Sequence, residues 1–536
     1  MILQNLQAMK LTDILSGKYN PAEWEAKGYR LPKFDLDAVR EKTFREPTWV
    51  HFGGGNIFRA FPAAILNEAL NTGKYDRGVI VAETFDFEVI DKAYTPYGNL
   101  SLSVSLQSSG TIEKTVIASV TEALKADFAF PDWQRLVDIF RKPSLQMISF
   151  TITEKGYTVA PADLERGLKP VLAMGKVAAL LYERYQAGEL PLTVQSMDNC
   201  SHNGDKVKAG IFAYAERWVT DGLVPAGFLD YLKDEKKITF PWSMIDKITP
   251  RPHEKVKEML AADGFEDNDY IETAKHTFTA PFVNSEEVQY LVIEDNYTNG
   301  RPPLDLGGAL YTARETVDKV ETMKVTTCLN PLHTAMSLYG CLLGYTLISA
   351  EMKDPDIRPF IQKLGYIEAM PVVTDPGVLN PYEFIGAVIN RRLPNPFMPD
   401  APQRIAMDTS QKLPIRFGET LKKYVARGLD MDNLVLIPLT LAGYARYLKG
   451  IRDDGTPFEP SPDPLVEELM AVVAPLEVGK PDQDWSCLKK LFSRKDIFAV
   501  DLYEVGLGER IEGMVRELYD HYGAVRETLH KYVLAR

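Results

Sequence analysis

Between Thr48 and Gln195, short β-branched or aromatic runs alternate with stretches whose apolar residues recur at helical spacing, and this alternation narrows the choice of fold most. The strand candidates are Thr48 to Phe52, Gly78 to Ala82, Thr115 to Val120, Gln146 to Thr153 and Leu192 to Gln195. Ala63 to Leu70 and Trp133 to Phe140 read as helices between them. Strands joined through helices run parallel with both faces covered, so the first half is expected to be a doubly wound α/β domain. Beyond about residue 305 the strand signals fade. Apolar residues recur at helical spacing in Leu332 to Ala350, Asn433 to Leu448, Leu465 to Val473 and Ile511 to Leu534, which predicts a mainly α-helical second half. Val288 to Ile293 alternates like a strand, and the breaker cluster Asn299-Gly300-Arg301-Pro302-Pro303 follows it. The expected division is therefore an N-terminal extension over 1–45, an α/β domain over 46–305 and a helical domain over 306–536.

At 536 residues and 45% hydrophobic content the chain can bury more than one core. A net charge of -13 and a pI near 5.3 disfavour nucleic acid and anionic lipid as partners, because polyanions call for clustered Lys and Arg. The four cysteines and seven histidines show no ligand or disulfide spacing, so no metal is expected. No basic segment with an apolar core and a cleavage site opens the sequence, which points to the cytoplasm. The longest uncharged run, Val325 to Ala350, carries Asn330, Pro331, His333, Gly340 and Gly344. It suits a buried helix better than a membrane span.

Two segments carry chemistry. The strand candidate ending at Phe52 runs straight into Gly53-Gly54-Gly55-Asn56-Ile57 and then a helical pattern. A strand, a glycine turn and a helix N-terminus form a phosphate cradle, since glycine lets the backbone approach and free amides face the anion. Phe58 takes the third glycine position of G-x-G-x-x-G, so the fingerprint is incomplete. The next strand ends at Glu83, where a dinucleotide fold expects an acid on the adenosine ribose, and no arginine follows in Thr84-Phe85-Asp86. That favours NAD over NADP. Two more strands end in polar clusters, Thr151 to Tyr157 with Thr153 and Ser196 to Gly204 with Asp198, at the edge where open parallel sheets bind ligands.

The second segment, read as a short loop meeting a helix, is Lys324-Val325-Thr326-Thr327-Cys328-Leu329-Asn330-Pro331-Leu332-His333. Asn330 and Pro331 read as the N-cap and first residue of a buried helix, with Asn330 and His333 about one turn apart. A lysine partly desolvated beside such a helix can exchange protons near neutral pH.

In order and approximate spacing, these pieces resemble the mannitol dehydrogenase family of long-chain polyol dehydrogenases and hexuronate reductases. Further carriers are Arg59-Ala60, Ser243 to Pro250, Val292 to Pro302 and Glu321 to His333, and together they cover about residues 48 to 420. The resemblance implies a Rossmann-type NAD-binding domain, a helical substrate domain, a reaction in the cleft between them, and no zinc. It implies that Lys324 is the catalytic acid/base and that Asn330 is one of two amides polarising the substrate oxygen. Asn199 would be the other, with Asn203 close enough to leave the choice open. His333 resembles the substrate-binding histidine, Glu321 a proton-relaying carboxylate, and Asp246 an acid near the site. Five residues separate Lys324 from Asn330 where four are usual, and Asn-Pro-Leu-His replaces the commoner Asn-Gly-Ser-His.

Polyols and hexuronates differ at one end, where a hydroxymethyl becomes a carboxylate, and a carboxylate calls for a cation. Arg391, Arg392 and Lys412 are candidates, the last two at positions that resemble family motifs. The branch features look more like the hexuronate reductases, with fructuronate and mannonate as the expected pair. Fructose and mannitol, or tagaturonate, are the alternatives. A non-catalytic NAD-binding protein is the alternative of another class. A monomer or small homo-oligomer acting on a small sugar acid or polyol is expected.

Overall fold

The computed structural model describes residues 8–536 and separates into two compact units, one reaching Asp318 and the other beginning at Lys319. In the first unit six strands form one parallel sheet: β1 (Trp49–Phe52), β2 (Val79–Glu83), β3 (Val120–Lys125), β4 (Met147–Phe150), β5 (Leu192–Ser196) and β6 (Ile238–Thr239). Their spatial order is β3-β2-β1-β4-β5-β6, the doubly wound dinucleotide-binding order, which reverses direction between β1 and β4. Side chains alternate along each strand. Val50 and Phe52 face one core with Ile80, Ile148 and Val194, whereas Trp49 faces the other with Val79, Val81 and Met147. Burial on both faces explains why these strands read as apolar runs.

Four of the five strand candidates become β1, β2, β4 and β5. The fifth, Thr115 to Val120, straddles the end of a hairpin strand (Ile112–Ile117) and the start of β3. β3 has the polar sequence VTEALK, and its edge position leaves Glu122 and Ala123 half-buried, so it lacks the apolar signature of the central strands. The described part of the N-terminal extension is packed: Tyr29–Arg30 pairs in parallel with the hairpin, and the helix Leu36–Arg45 precedes β1. The first unit extends beyond the expected boundary at 305 because Leu310–Thr312 pairs in parallel with Tyr290–Glu294.

The second unit is helical. α1 (Asn330–Leu342) is buried over most of its surface and packs against α2 (Leu436–Tyr447), which is buried at every position. Tyr339 donates to the Leu439 carbonyl at 2.8 Å, and a side chain at Gly443 would strike the Tyr339 ring. The buried Glu368 carboxylate accepts the Val435, Leu436 and Ile437 amides at 2.9, 2.8 and 2.8 Å, satisfying the first turn of α2 from outside the helix. The apolar run Leu332 to Ala350 is one helix only to Leu342. Gly344 then turns at φ +79°, and a short helix begins at Ile348.

Candidate active site

The glycine turn sits at the carboxyl end of β1. Gly53 has φ +107°, and a Cβ there would lie 2.3 Å from the Thr151 carbonyl oxygen, so only glycine lets the turn pass the end of β4. The Gly54 amide donates to Glu83 Oε2 at 2.8 Å, and Tyr94 donates to the Gly54 carbonyl at 2.8 Å. Nothing stands within 4 Å of where a Gly55 side chain would begin, which leaves room for a phosphate beside the turn. Phe58, in place of the third glycine, stacks on His51 at 4.1 Å. The helix therefore meets β1 through an aromatic pair rather than by close backbone approach. The two His51 nitrogens meet Ser149 and Thr151 hydroxyls at 2.7 and 2.8 Å, and burial holds the ring well below its usual pKa.

Gly53, Gly55, Glu83, Thr84, Thr151 and Thr153 line a cleft of about 470 Å³ that suits a dinucleotide. Glu83 lies where the sequence placed it, at the end of β2. Its second oxygen accepts the Phe85 and Asp86 amides at 2.9 and 3.3 Å, so it also braces the glycine turn against the next loop. Asn56 turns away from the cleft: its oxygen accepts from Arg59 at 2.9 Å and from the Thr279 hydroxyl at 2.7 Å.

A cavity of about 260 Å³ is lined by Ile57, Thr153, Asp198, Asn199, Cys200 and Lys247, among others. Thr153 lines both spaces. It has φ +64°, a costly conformation for a β-branched residue, and its amide and that of Ile152 donate to the Asp198 carboxylate at 2.9 and 3.0 Å. Tyr157 donates to the same carboxylate at 2.5 Å, and burial raises the Asp198 pKa. Asp198 thus braces a strained loop at the cleft floor, a task the sequence did not reveal.

The two amides that the sequence left as alternatives sit in different surroundings. Asn203, expected among the substrate-binding candidates, is fully buried. Its nitrogen donates to the Asp198 carbonyl and to the Ser243 carbonyl and hydroxyl, each at 3.0 Å, and its oxygen accepts the Ser243 amide at 3.0 Å. With both ends committed to neighbouring backbone, Asn203 is an internal brace. Asn199 lines the smaller cavity. Asp246 is buried at the end of the strand Ser243–Asp246.

In the helical unit, Lys324 is 5% exposed and opens a π-turn, Lys324–Cys328, that continues the helix Arg314–Met323 carrying Glu321. The sequence suggested a short loop here. A π-turn instead accommodates one extra residue inside a helix, which gives a physical home to the long spacing between Lys324 and Asn330. Leu329, at φ -128° and ψ -63°, breaks the helix, so Asn330 is the first residue of α1 rather than its cap. The Asn330 amide oxygen is buried without a hydrogen-bond partner among the described residues.

His333 is half-buried. Burial lowers its pKa to about 4, with Asp400 opposing and Arg416, Arg392 and Arg404 reinforcing the shift. The buried Arg392 ends a second π-turn, Val388–Arg392. Lys412 donates to the Ile405 carbonyl at 3.1 Å and to the Met407 carbonyl, which ties its ammonium to the preceding helix. Burial lowers its pKa to about 8. Arg416, unnoticed in the sequence, lies on a third π-turn, Pro414–Gly418, and reaches the first turn of α1. Nothing in the residue pattern announces such turns.

Among the described residues, no group of His, Cys, Asp and Glu could hold a metal ion and no helix is long and apolar enough to cross a membrane. Residues 47–306 match the mannitol dehydrogenase Rossmann domain, and residues 316–519 match the mannitol dehydrogenase C-terminal domain. The D-mannonate oxidoreductase of Thermotoga maritima is 52% identical over 526 residues, 96% of this chain and 97% of that protein. A solved D-sorbitol dehydrogenase in substrate-free form shares the fold with a TM-score of 0.75 at 24% identity, over 93% of this chain and 97% of its own. A Pseudomonas fluorescens mannitol 2-dehydrogenase, solved with NAD and D-mannitol, does so with a TM-score of 0.66 at 24% identity, over 99% of this chain and 100% of its own. Matched in order through both units, the chain belongs to the mannitol dehydrogenase family of oxidoreductases.

Proposed function

We propose that this chain interconverts fructuronate and mannonate, using NADH for reduction. The observation that carries the substrate is the 52% identity, end to end, with a D-mannonate oxidoreductase. The chemistry is supported by a buried amine, Lys324, six positions before Asn330 and nine before His333. When bound, the nicotinamide supplies the hydride to the keto carbon, or takes it back in the oxidation. Asn199 and Asn330 donate hydrogen bonds to the carbonyl oxygen, where negative charge grows. The unpartnered Asn330 oxygen accepts from a substrate hydroxyl. Lys324 hands the proton to the new alkoxide, and Glu321, one helical turn earlier, relays protons to it. With its pKa near 4, His333 stays neutral in this work and orients a hydroxyl as an uncharged partner. Asp246 acts near the same site.

For the coenzyme, Glu83 at the end of β2 favours NAD, because a second negative charge on the ribose would face its carboxylate. The decisive measurement is NADH and NADPH oxidation with fructuronate, tagaturonate and fructose in parallel. Turnover with fructuronate and NADH is expected; fructose as the only substrate would place the chain with the polyol enzymes. Lys324→Ala should lower kcat by about 100- to 10,000-fold while leaving NADH fluorescence titrations unchanged. Undiminished turnover in that variant would remove the lysine from the mechanism.

A further inference from the structure

The charges around His333 are unequally satisfied. Arg404 forms an ion pair with Asp400, and the Lys412 ammonium is held by two backbone carbonyls. Arg416 differs. It is half-buried, and its hydrogen bonds are made by Nη1 alone, to the Thr334 hydroxyl at 2.5 Å and to the Asn330 carbonyl at 3.5 Å. Among the described residues no carboxylate lies within ion-pair distance of it, and its Nε and Nη2 groups have no acceptor. Burial, with no acid opposing it, lowers its pKa to about 10, so it remains a cation at neutral pH.

An uncompensated half-buried guanidinium is costly unless an anion completes it. Its position says which end of a substrate would do so. Nη1 is fixed to the first turn of α1, between Asn330 and Thr334, which are one helical turn or about 5.4 Å of rise apart. The Arg416 guanidinium therefore lies within about a helical turn of Asn330. A keto-hexuronate carries its carboxylate beyond three hydroxyl-bearing carbons from the keto carbon. It can reach across such a distance with its carbonyl at Asn330.

We propose that Arg416 selects the acid over the polyol by pairing with the substrate carboxylate through its Nε and Nη2 edge. This inference rests on the hexuronate reading above and assigns the discrimination to a residue outside the family-like positions Arg392 and Lys412. The planar fork matters as well as the charge, since a guanidinium can hold a carboxylate with two parallel bonds.

The test uses Arg416→Gln and Arg416→Lys in the full chain, with fructuronate kinetics and with equilibrium binding of D-mannonate and D-mannitol to the NADH complex, where no turnover occurs. For Arg416→Gln, KM for fructuronate and Kd for mannonate should rise roughly 10- to 100-fold, with mannitol binding unchanged. Arg416→Lys, which keeps the charge but loses the fork, should fall between that variant and the native enzyme. Unchanged NADH affinity and Tm will show that the variants fold. Equal losses for mannonate and mannitol, or an unaltered Kd for mannonate, would overturn the assignment while leaving the hexuronate reading intact. A native enzyme that reduces fructose and no keto-hexuronate would instead overturn that reading, and this inference with it.

Discussion

Glu351 is fully buried, and neither of its carboxylate oxygens meets a donor among the described residues. It presses on Gly340, where any side chain would collide with it. Burial, with Asp354 adding repulsion, raises its pKa well above the usual carboxylate range. A raised carboxyl pKa means the folded state binds the proton more tightly than the unfolded one. Its contribution is therefore fully present below the unfolded value and is lost as pH rises toward the folded value. Glu351→Gln, neutral at every pH, should match the native protein in Tm near pH 4 and exceed it increasingly toward pH 8 in thermal scans. Among the site residues, the sequence was informative where chemistry and context coincide, as at Lys324 beside an apolar helix and Glu83 at a strand end. It could not separate Asn199 from Asn203, because only the fold reveals that Ser243 occupies one of them. It missed Arg416, because a missing counter-charge is a property of surroundings rather than of a residue.

The elements that do most for the site are irregular. The glycine turn works because Gly53 adopts φ +107° against the end of β4, so Gly53→Ala should cost about 2–4 kcal/mol through strain and contact with Thr151. Urea denaturation together with NADH titration should report both lower stability and weaker binding. In the helical unit three π-turns carry Lys324, Arg392 and Arg416. A π-turn is held together by a shifted hydrogen-bond pattern and depends on packing, so its residues look like ordinary helix or loop. This is why the segment after Lys324 read as a loop. The long regular helices and central strands were legible, because period 3.6 and continuous apolar runs each have one simple structural cause.

For the whole molecule, the division into two compact units implies unfolding that is not two-state. Calorimetry should resolve two transitions. NADH at 100 times its Kd should stabilise the one belonging to the first unit by about 2.7 kcal/mol, and a single transition unaffected by NADH would contradict this. The sequence by itself determined the two-part architecture, the parallel sheet, the glycine cradle with its acid and the family, because these follow from local periodicity and from ordered motifs. The tertiary structure alone decided that Asp198 braces the Ile152–Thr153 loop, that Asn203 is bonded to Ser243, that the first unit continues to Asp318, and that Arg416 meets no carboxylate among the described residues. Those outcomes depend on which distant groups share a hydrogen bond or a charge, and that information arises only when the chain closes on itself.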